Sequence, residues 1–345
     1  MTSATNSTVF SNQHKKFDVY GIGNALVDME FEVSPDFLKK MDVQKGLMTL
    51  VDEERQNILI QNLNGVQHKR AGGGSAANTM VSLAHLGGKG FYSCKVASDE
   101  TGDFFLKDLL ASGLLTNLNA ENREAGITGK CMVMVTPDAD RTMNTFLGIT
   151  STFAEKELNP EEIKNSHMLY MEGYLVASPT GKLAAIKARE IAEKNNVLKV
   201  LTFSDPNMVL YFKDGLMEMI GSKPLDLLFC NESEALAFTG KAHLSEAIVE
   251  LKKVTKAYAI TTGAKGATLF DGQKEIEIVT MPVTAIDTNG AGDLFAGAFM
   301  YALSKGADFN LAGRLACACA SKLVTQFGAR LSNAELKTLK ETYYK

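Results

Sequence analysis

Tryptophan is absent from the 345 residues, and cysteine is scarce. The five cysteines, Cys94, Cys131, Cys230, Cys317 and Cys319, are odd in number and scattered. They form no disulfide framework and suit free thiols in a reducing cytoplasm. Cys317 and Cys319 stand two apart in a predicted helix, where such positions do not share a face. The five histidines (His14, His68, His85, His167, His243) have no metal spacing, so a histidine-rich zinc site is not expected. No apolar run approaches the roughly 18 residues that a membrane helix needs. The polar stretch from Met1 to Lys16 lacks the apolar centre of a secretory signal and reads as a disordered tail. A surplus of positive charge is missing too. Lys plus Arg is 36 against 40 for Asp plus Glu, a net charge of −4, which argues against a nucleic-acid binder. No Gly-Lys pair is followed by Ser or Thr, so there is no Walker A loop. Neither H-E-x-x-H nor G-x-S-x-G occurs.

What is present is an alternation of short apolar strands and amphipathic helices. Strands are predicted at Phe17–Gly23, Phe91–Val96, His167–Met171, Val197–Phe203, Leu225–Cys230 and Ala257–Thr261. Helices are predicted at Thr79–Leu86, Asp103–Leu110, Lys182–Asn195, Ser245–Val254, Leu294–Leu303 and Leu311–Phe327. Near-continuous apolar strands separated by helices predict a mainly parallel sheet covered on both faces. Two stretches depart from this rhythm. Val27–Val33 alternates apolar and charged residues, followed by Gly46–Val51, and two more strand-like runs flank Pro137-Asp138-Ala139-Asp140. Period-two alternation predicts half-exposed strands. The reading is one α/β domain over 17–345, with a small β lid from about 27–51 and 124–148. Exposed lid edges leave monomer and homodimer open.

The strongest motif is Asp287-Thr288-Asn289-Gly290-Ala291-Gly292-Asp293, running straight into the Leu294 helix. A glycine turn that opens a helix gathers backbone N–H groups and the positive end of the helix dipole, which makes an anion hole. Asp293 then stands as a carboxylate beside that hole. Phosphoryl transfer to an alcohol needs both parts, a charge cradle and a base. Arg70-Ala71-Gly72-Gly73-Gly74-Ser75-Ala76-Ala77-Asn78 precedes another helix. Its glycines permit close backbone approach by a ligand, with Asn78 one turn on, although a flexible turn explains the stretch equally well. Gly21-Ile22-Gly23 fails as a dinucleotide fingerprint because Leu26 stands where the third glycine belongs. Asn24 and Asp28 fit either ligand hydroxyls or ordinary strand-end polarity. Asn231-Glu232-Ser233-Glu234 has the pattern of a helix cap. A hairpin turn accounts for Thr261-Thr262-Gly263-Ala264-Lys265-Gly266.

The segment Gly72–Asn78 and the segment Asp287–Asp293, in this order, resemble the two signatures of the ribokinase-like family of sugar and nucleoside kinases. The resemblance runs from about Phe17 to Phe327. It implies a three-layer α/β/α kinase that uses ATP and Mg²⁺, with small molecules as partners and neither nucleic acid nor membrane. It implies Asp293 as catalytic base and the N–H groups of Gly290, Ala291 and Gly292 as anion hole. Asn231 and Glu234 are matched to positions organising Mg²⁺ and phosphate, and Thr262, Gly263, Gly266 and Asn289 to the nucleotide site. Asn24, Asp28, Gly73, Gly74 and Asn78 are matched to acceptor-binding positions. Arg141 resembles a lid arginine that meets the transferring phosphate, and some relatives hold K⁺ or another monovalent cation near a residue matching Asp287. Asn at 289 and the run Gly23–Asp28 are similar to adenosine-phosphorylating members, which implies the adenosine 5′-hydroxyl as acceptor. A sugar acceptor is the alternative, and a non-catalytic nucleoside binder a further one. With no tryptophan, base stacking falls to Phe203 or Tyr174.

Overall fold

The computed structural model describes residues 9–10, 14–63, 69–138 and 140–344. Eight strands build the main sheet: β1 (Phe17–Ile22), β5 (Gly90–Ser93), β8 (Ser166–Glu172), β9 (Leu198–Thr202), β10 (Leu227–Asn231), β11 (Tyr258–Thr261), β12 (Gly266–Phe270) and β13 (Glu275–Val279). Their order is β13-β12-β11-β10-β9-β8-β1-β5. All pairs from β11 to β5 are parallel, and β12 and β13 add antiparallel at one edge. Successive residues of each central strand enter opposite cores. Val19, Met168 and Tyr170 pack beneath the helices Ser75–His85, Ala291–Ser304 and Phe309–Leu323, whereas Tyr20, Leu169 and Met171 pack under Pro179–Lys194 and Pro206–Ile220. Burial on both faces explains why these strands read as unbroken apolar runs. The result is a three-layer α/β/α sandwich.

Two helix boundaries differ from the sequence pattern. The helix expected from Thr79 begins four residues earlier, at Ser75, with Gly74 as its N-cap. The helix expected at Leu311–Phe327 starts at Phe309, because Asp308 accepts from the Leu311 N–H (2.8 Å), and it stops at Leu323. Pro206–Ile220 and Asn333–Tyr343 are further helices.

Five strands form a second, smaller sheet: β2 (Leu26–Glu32), β3 (Met48–Leu50), β4 (Lys69–Gly73), β6 (Thr128–Val135) and β7 (Arg141–Gly148), in the order β3-β7-β6-β2-β4. The glycine cluster read as a turn supplies the end of β4, which pairs antiparallel with β2. The expected half-exposure of β2 does not hold: its pattern is buried nearly throughout, Asp28 and Glu30 included. The reason is that neither face meets bulk water. One face packs under the helices Pro35–Lys40 and Glu53–Asn62 through Phe31, Leu38, Leu59 and Met132. The other turns toward the main domain.

Of the stretch read as a tail, Phe10 is described. It is buried and meets the Phe309 ring edge-on at 5.7 Å. All five cysteines are free and buried. Among the described residues no helix is long and apolar enough to cross a membrane.

Candidate active site

A cavity of about 290 Å³ opens where the second sheet faces the main one. It lies at the carboxyl ends of the parallel strands, the edge where open α/β sheets place their ligands. Glu172, Thr202, Asn231 and Thr261 reach it from the ends of β8, β9, β10 and β11. Thr288 to Asp293 form another wall, and Leu26, Asp28, Arg141, Met143 and Thr145 of the second sheet close over it.

Asp287 lies beneath the glycine turn and does not line the cavity. Its Oδ1 accepts from the Asn289 N–H (2.8 Å) and its Oδ2 from the Gly328 N–H (2.9 Å), which pins the turn to the segment after the Phe309–Leu323 helix. Gly290 adopts φ +73°, and a Cβ there would lie 2.6 Å from the Ala329 carbonyl oxygen. Only glycine fits this left-handed, crowded position. The helix Ala291–Ser304 starts immediately after. Its first N–H groups have no intrahelical acceptor, and the positive end of its dipole sits at the cavity.

Asp293 stands in that first turn. Ser75 Oγ donates to its Oδ1 (2.6 Å) and Asn78 Nδ2 to its Oδ2 (3.2 Å). Burial pushes its pKa up, and the two donors and the charges of Arg141 and Arg330 oppose that rise. Three more carboxylates line the cavity. Burial pushes Asp28 up to about 7, with the Arg330 charge opposing. Glu172 is likewise raised by burial to about 7, against its bonds from the Ala76 N–H (2.8 Å) and Asn24 Nδ2 (2.9 Å). Burial raises Glu234 to about 8. Arg141 is the single basic side chain among the lining residues. It donates from Nη1 to Asn289 Oδ1 (3.0 Å), bridging the second sheet to the glycine turn. Among the described residues, Asn289 Nδ2 is buried without a partner.

Asn231 and Glu234 do form the expected cap. Asn231 Oδ1 accepts from the Glu234 N–H (2.8 Å), and Glu234 Oε2 accepts from the Asn231 N–H (3.1 Å). Both also line the cavity, so capping and ligand contact are compatible.

The cavity therefore gathers Asn24, Asp28, Gly74, Asn78, Arg141, Asn231, Glu234, Asn289, Gly290, Ala291, Gly292 and Asp293. Gly73 lies just behind, where a Cβ would come within 2.1 Å of Asp28 Oδ1. Its missing side chain makes room for a neighbouring carboxylate rather than for a ligand. Thr262, Gly263 and Gly266 stand outside the lining. They form the turn between β11 and β12, closed by the Thr262 N–H on the Gly266 carbonyl (2.9 Å), and the neighbouring Thr261 reaches the cavity instead. Phe203 is excluded as a stacking surface, being fully buried and stacked on Phe238 at 4.5 Å. Tyr174 lines the cavity. Sequence reasoning missed Glu172, whose signal is a lone charge at the end of an apolar strand, and Ser75, a member of the quoted glycine segment. It also missed Arg330, for which no local pattern exists.

A doubly covered parallel sheet, with a helix N-terminus and a carboxylate meeting at its switch edge, is the arrangement of a ribokinase-like kinase. The chain belongs to the pfkB family of carbohydrate kinases, whose sequence profile matches residues 51–336. It is 28% identical to an adenosine kinase of Saccharomyces cerevisiae over 309 residues, covering 83% of this chain and 88% of that protein. It is 31% identical to a ribokinase of Haemophilus influenzae over 282 residues, covering 79% and 87%. The crystal structure of adenosine kinase from Sinorhizobium meliloti superimposes with a TM-score of 0.89 at 29% identity, covering 95% of this chain and 99% of that one.

Proposed function

We propose that the protein transfers the γ-phosphoryl group of ATP to the 5′-hydroxyl of adenosine, giving AMP and ADP. One observation carries the choice of acceptor. Besides the polar groups Asn24, Asp28 and Asn78, the cavity is lined by the apolar side chains Leu26, Met48, Leu50, Met143 and Leu147 and the ring of Tyr174. A free sugar satisfies the polar part alone. A nucleoside carries a polar ribose and a flat, largely apolar base, so it satisfies both. The similarity to adenosine kinases supports the same reading.

In this reading Asp293 accepts the proton of the acceptor hydroxyl as the phosphoryl group is transferred, a general-base role. Ser75 and Asn78 hold its oxygens in place. The glycine turn and helix N-terminus stabilise charge on the transferring group through backbone dipoles, which cost no reorganisation at that moment. Arg141 adds a cation from the second sheet, and that sheet acts as a lid that excludes water and protects ATP from hydrolysis. The unpartnered Asn289 donor and the open space at Gly292 suit an oxygen-rich, anionic ligand. Mg²⁺ binds with few protein carboxylates, keeping waters and substrate phosphates as its other ligands. Asn231 and Glu234 fit that pattern, and the ion would neutralise charge on the phosphates.

The test is a coupled ADP-release assay with ATP and Mg²⁺ against adenosine, other nucleosides, ribose and fructose, using wild type and Asp293→Asn. Turnover with adenosine, reduced at least ~10²-fold in the variant, is expected. The similarity to ribokinases makes ribose the acceptor to beat. Turnover of ribose alone overturns the acceptor, and a fully active Asp293→Asn enzyme overturns the base.

A further inference from the structure

Arg330 lies outside the cavity lining, yet two elements of the site converge on it. It stands in the segment after the helix Phe309–Leu323 that supports the glycine turn through Gly328 and Ala329. Its guanidinium side chain is 14% exposed. Nη1 pairs with Asp108 Oδ2 at 2.5 Å, on the helix Glu100–Ala111, and Nε donates to Asn78 Oδ1 at 2.8 Å. Asn78 donates in turn from Nδ2 to Asp293 Oδ2.

A side-chain amide has one end that only accepts and one that only donates. A guanidinium only donates, and an ionised carboxylate only accepts. Asn78 sits between the two. With its oxygen on Arg330 and its nitrogen on Asp293, both contacts are bonds. Turned over, the amide would set donor against donor and acceptor against acceptor. Ser75, on the other oxygen of Asp293, enforces no such direction, since a hydroxyl serves either way.

We propose that Arg330 is a positioning residue of phosphoryl transfer: it locks the Asn78 amide with an N–H aimed at Asp293. The Asp108 ion pair anchors the guanidinium and uses its fork geometry, which a lysine cannot reproduce. The inference rests on the reading of Asp293 as base.

The charged and titratable groups around Asp293 come from every wall. Arg141 faces it from β7 and Arg330 from behind Asn78, while the carboxyls of Asp28, Glu172 and Glu234 and the phenols of Tyr170 and Tyr174 complete the surroundings. Loss of Arg330 removes one of the two cations and frees the amide to turn. Both changes favour the protonated form of Asp293.

The experiment compares pH profiles of kcat for wild type, Arg330→Gln, Arg330→Lys and Asp108→Asn, using ATP, Mg²⁺ and the acceptor identified in the assay above. In Arg330→Gln the acid limb should move up by about one pH unit, the size expected when a carboxylate loses a donor and a nearby cation. Activity should then fall about tenfold at the acid end and recover most of the way at the alkaline end, with KM for ATP unchanged. Arg330→Lys should show the shift as well, because a point charge cannot bridge Asp108 and Asn78 together. Asp108→Asn should show a smaller shift in the same direction, and it decides the matter if the Arg330 variants do not fold. An evenly reduced profile with an unmoved acid limb, or a wild-type Arg330→Lys enzyme, overturns the proposal. Asp293→Asn separates the two failures. If that variant is fully active, the base assignment has failed; if it is inactive while the Arg330 and Asp108 profiles match wild type, only the role of Arg330 has.

Discussion

Gly292 separates what folding requires from what transfer requires. Its neighbour Gly290 is held by the fold, since φ is +73° and the Ala329 backbone blocks any Cβ. Gly292 has neither constraint: a Cβ there meets nothing within 4 Å, although the residue lines the cavity. It also lies in the first turn of the helix Ala291–Ser304. Gly→Ala in a helix is stabilising by roughly 0.5–1 kcal/mol, less at a terminus. For a chain of this size that amounts to a Tm change of about 1–2 °C upward, or none. In the proposed reading, however, the added methyl enters the space where phosphate oxygens approach the backbone donors. Displacing one such donor costs about 10²–10³ in kcat. Gly292→Ala should therefore melt at or slightly above the wild-type temperature while losing at least ~10²-fold in kcat. Gly290→Ala should lose both, because its methyl pushes on the backbone that holds the turn. Differential scanning fluorimetry beside the coupled assay reads both quantities on one preparation. A Gly292→Ala enzyme with wild-type kcat would refute the idea that this turn cradles the phosphoryl group.

Two further outcomes are expected. Asp28 is held by burial with a pKa of about 7 against an ordinary 3.8, so its folded value lies above the unfolded one. The stability this contributes is fully present below the unfolded value and is lost as pH rises through about 7. Relative to wild type, Asp28→Asn should therefore gain Tm as pH rises over that window, and a pH-independent difference in melting would contradict the assignment. Tyr174→Ala should raise KM for a nucleoside by about tenfold or more, the value of one base–aromatic contact, while leaving any turnover of ribose unaltered; equal effects on both acceptors would remove Tyr174 from the base chamber.

The central strands and the glycine turn were legible because each is a local statement. An apolar run bounded by turns reads as a buried strand, and glycines before an apolar helix read as an anion-accepting N-terminus. The alternation of Val27–Val33 was legible as a strand but misleading about water. Its charged residues Asp28 and Glu30 face the interior, and an apolar/polar period cannot distinguish a cavity from solvent. Glu172 and Arg330 escaped for another reason. Each acts across long sequence separations, Glu172 on Asn24 and Ala76, Arg330 on Asn78 and Asp108. Contacts of that kind exist only once the sheet has brought the elements together. The turn Thr262–Gly266 was legible as a hairpin, and β11 and β12 do pair antiparallel through it, outside the cavity lining.

Among the described residues the two sheets share no strand, and the cavity takes different things from each. Asp293 and the glycine turn belong to the main domain. Met48, Leu50, Met143 and Leu147 belong to the second sheet or its strand ends. In the proposed reading, substitutions at Met48, Leu50, Met143 and Leu147 retune which alcohol is accepted, provided Arg141 on the same sheet is kept, while Asp293 and the glycine turn stay untouched. A lineage built this way can change its diet without relearning its chemistry, and a designer seeking a new acceptor has a bounded surface on which to begin.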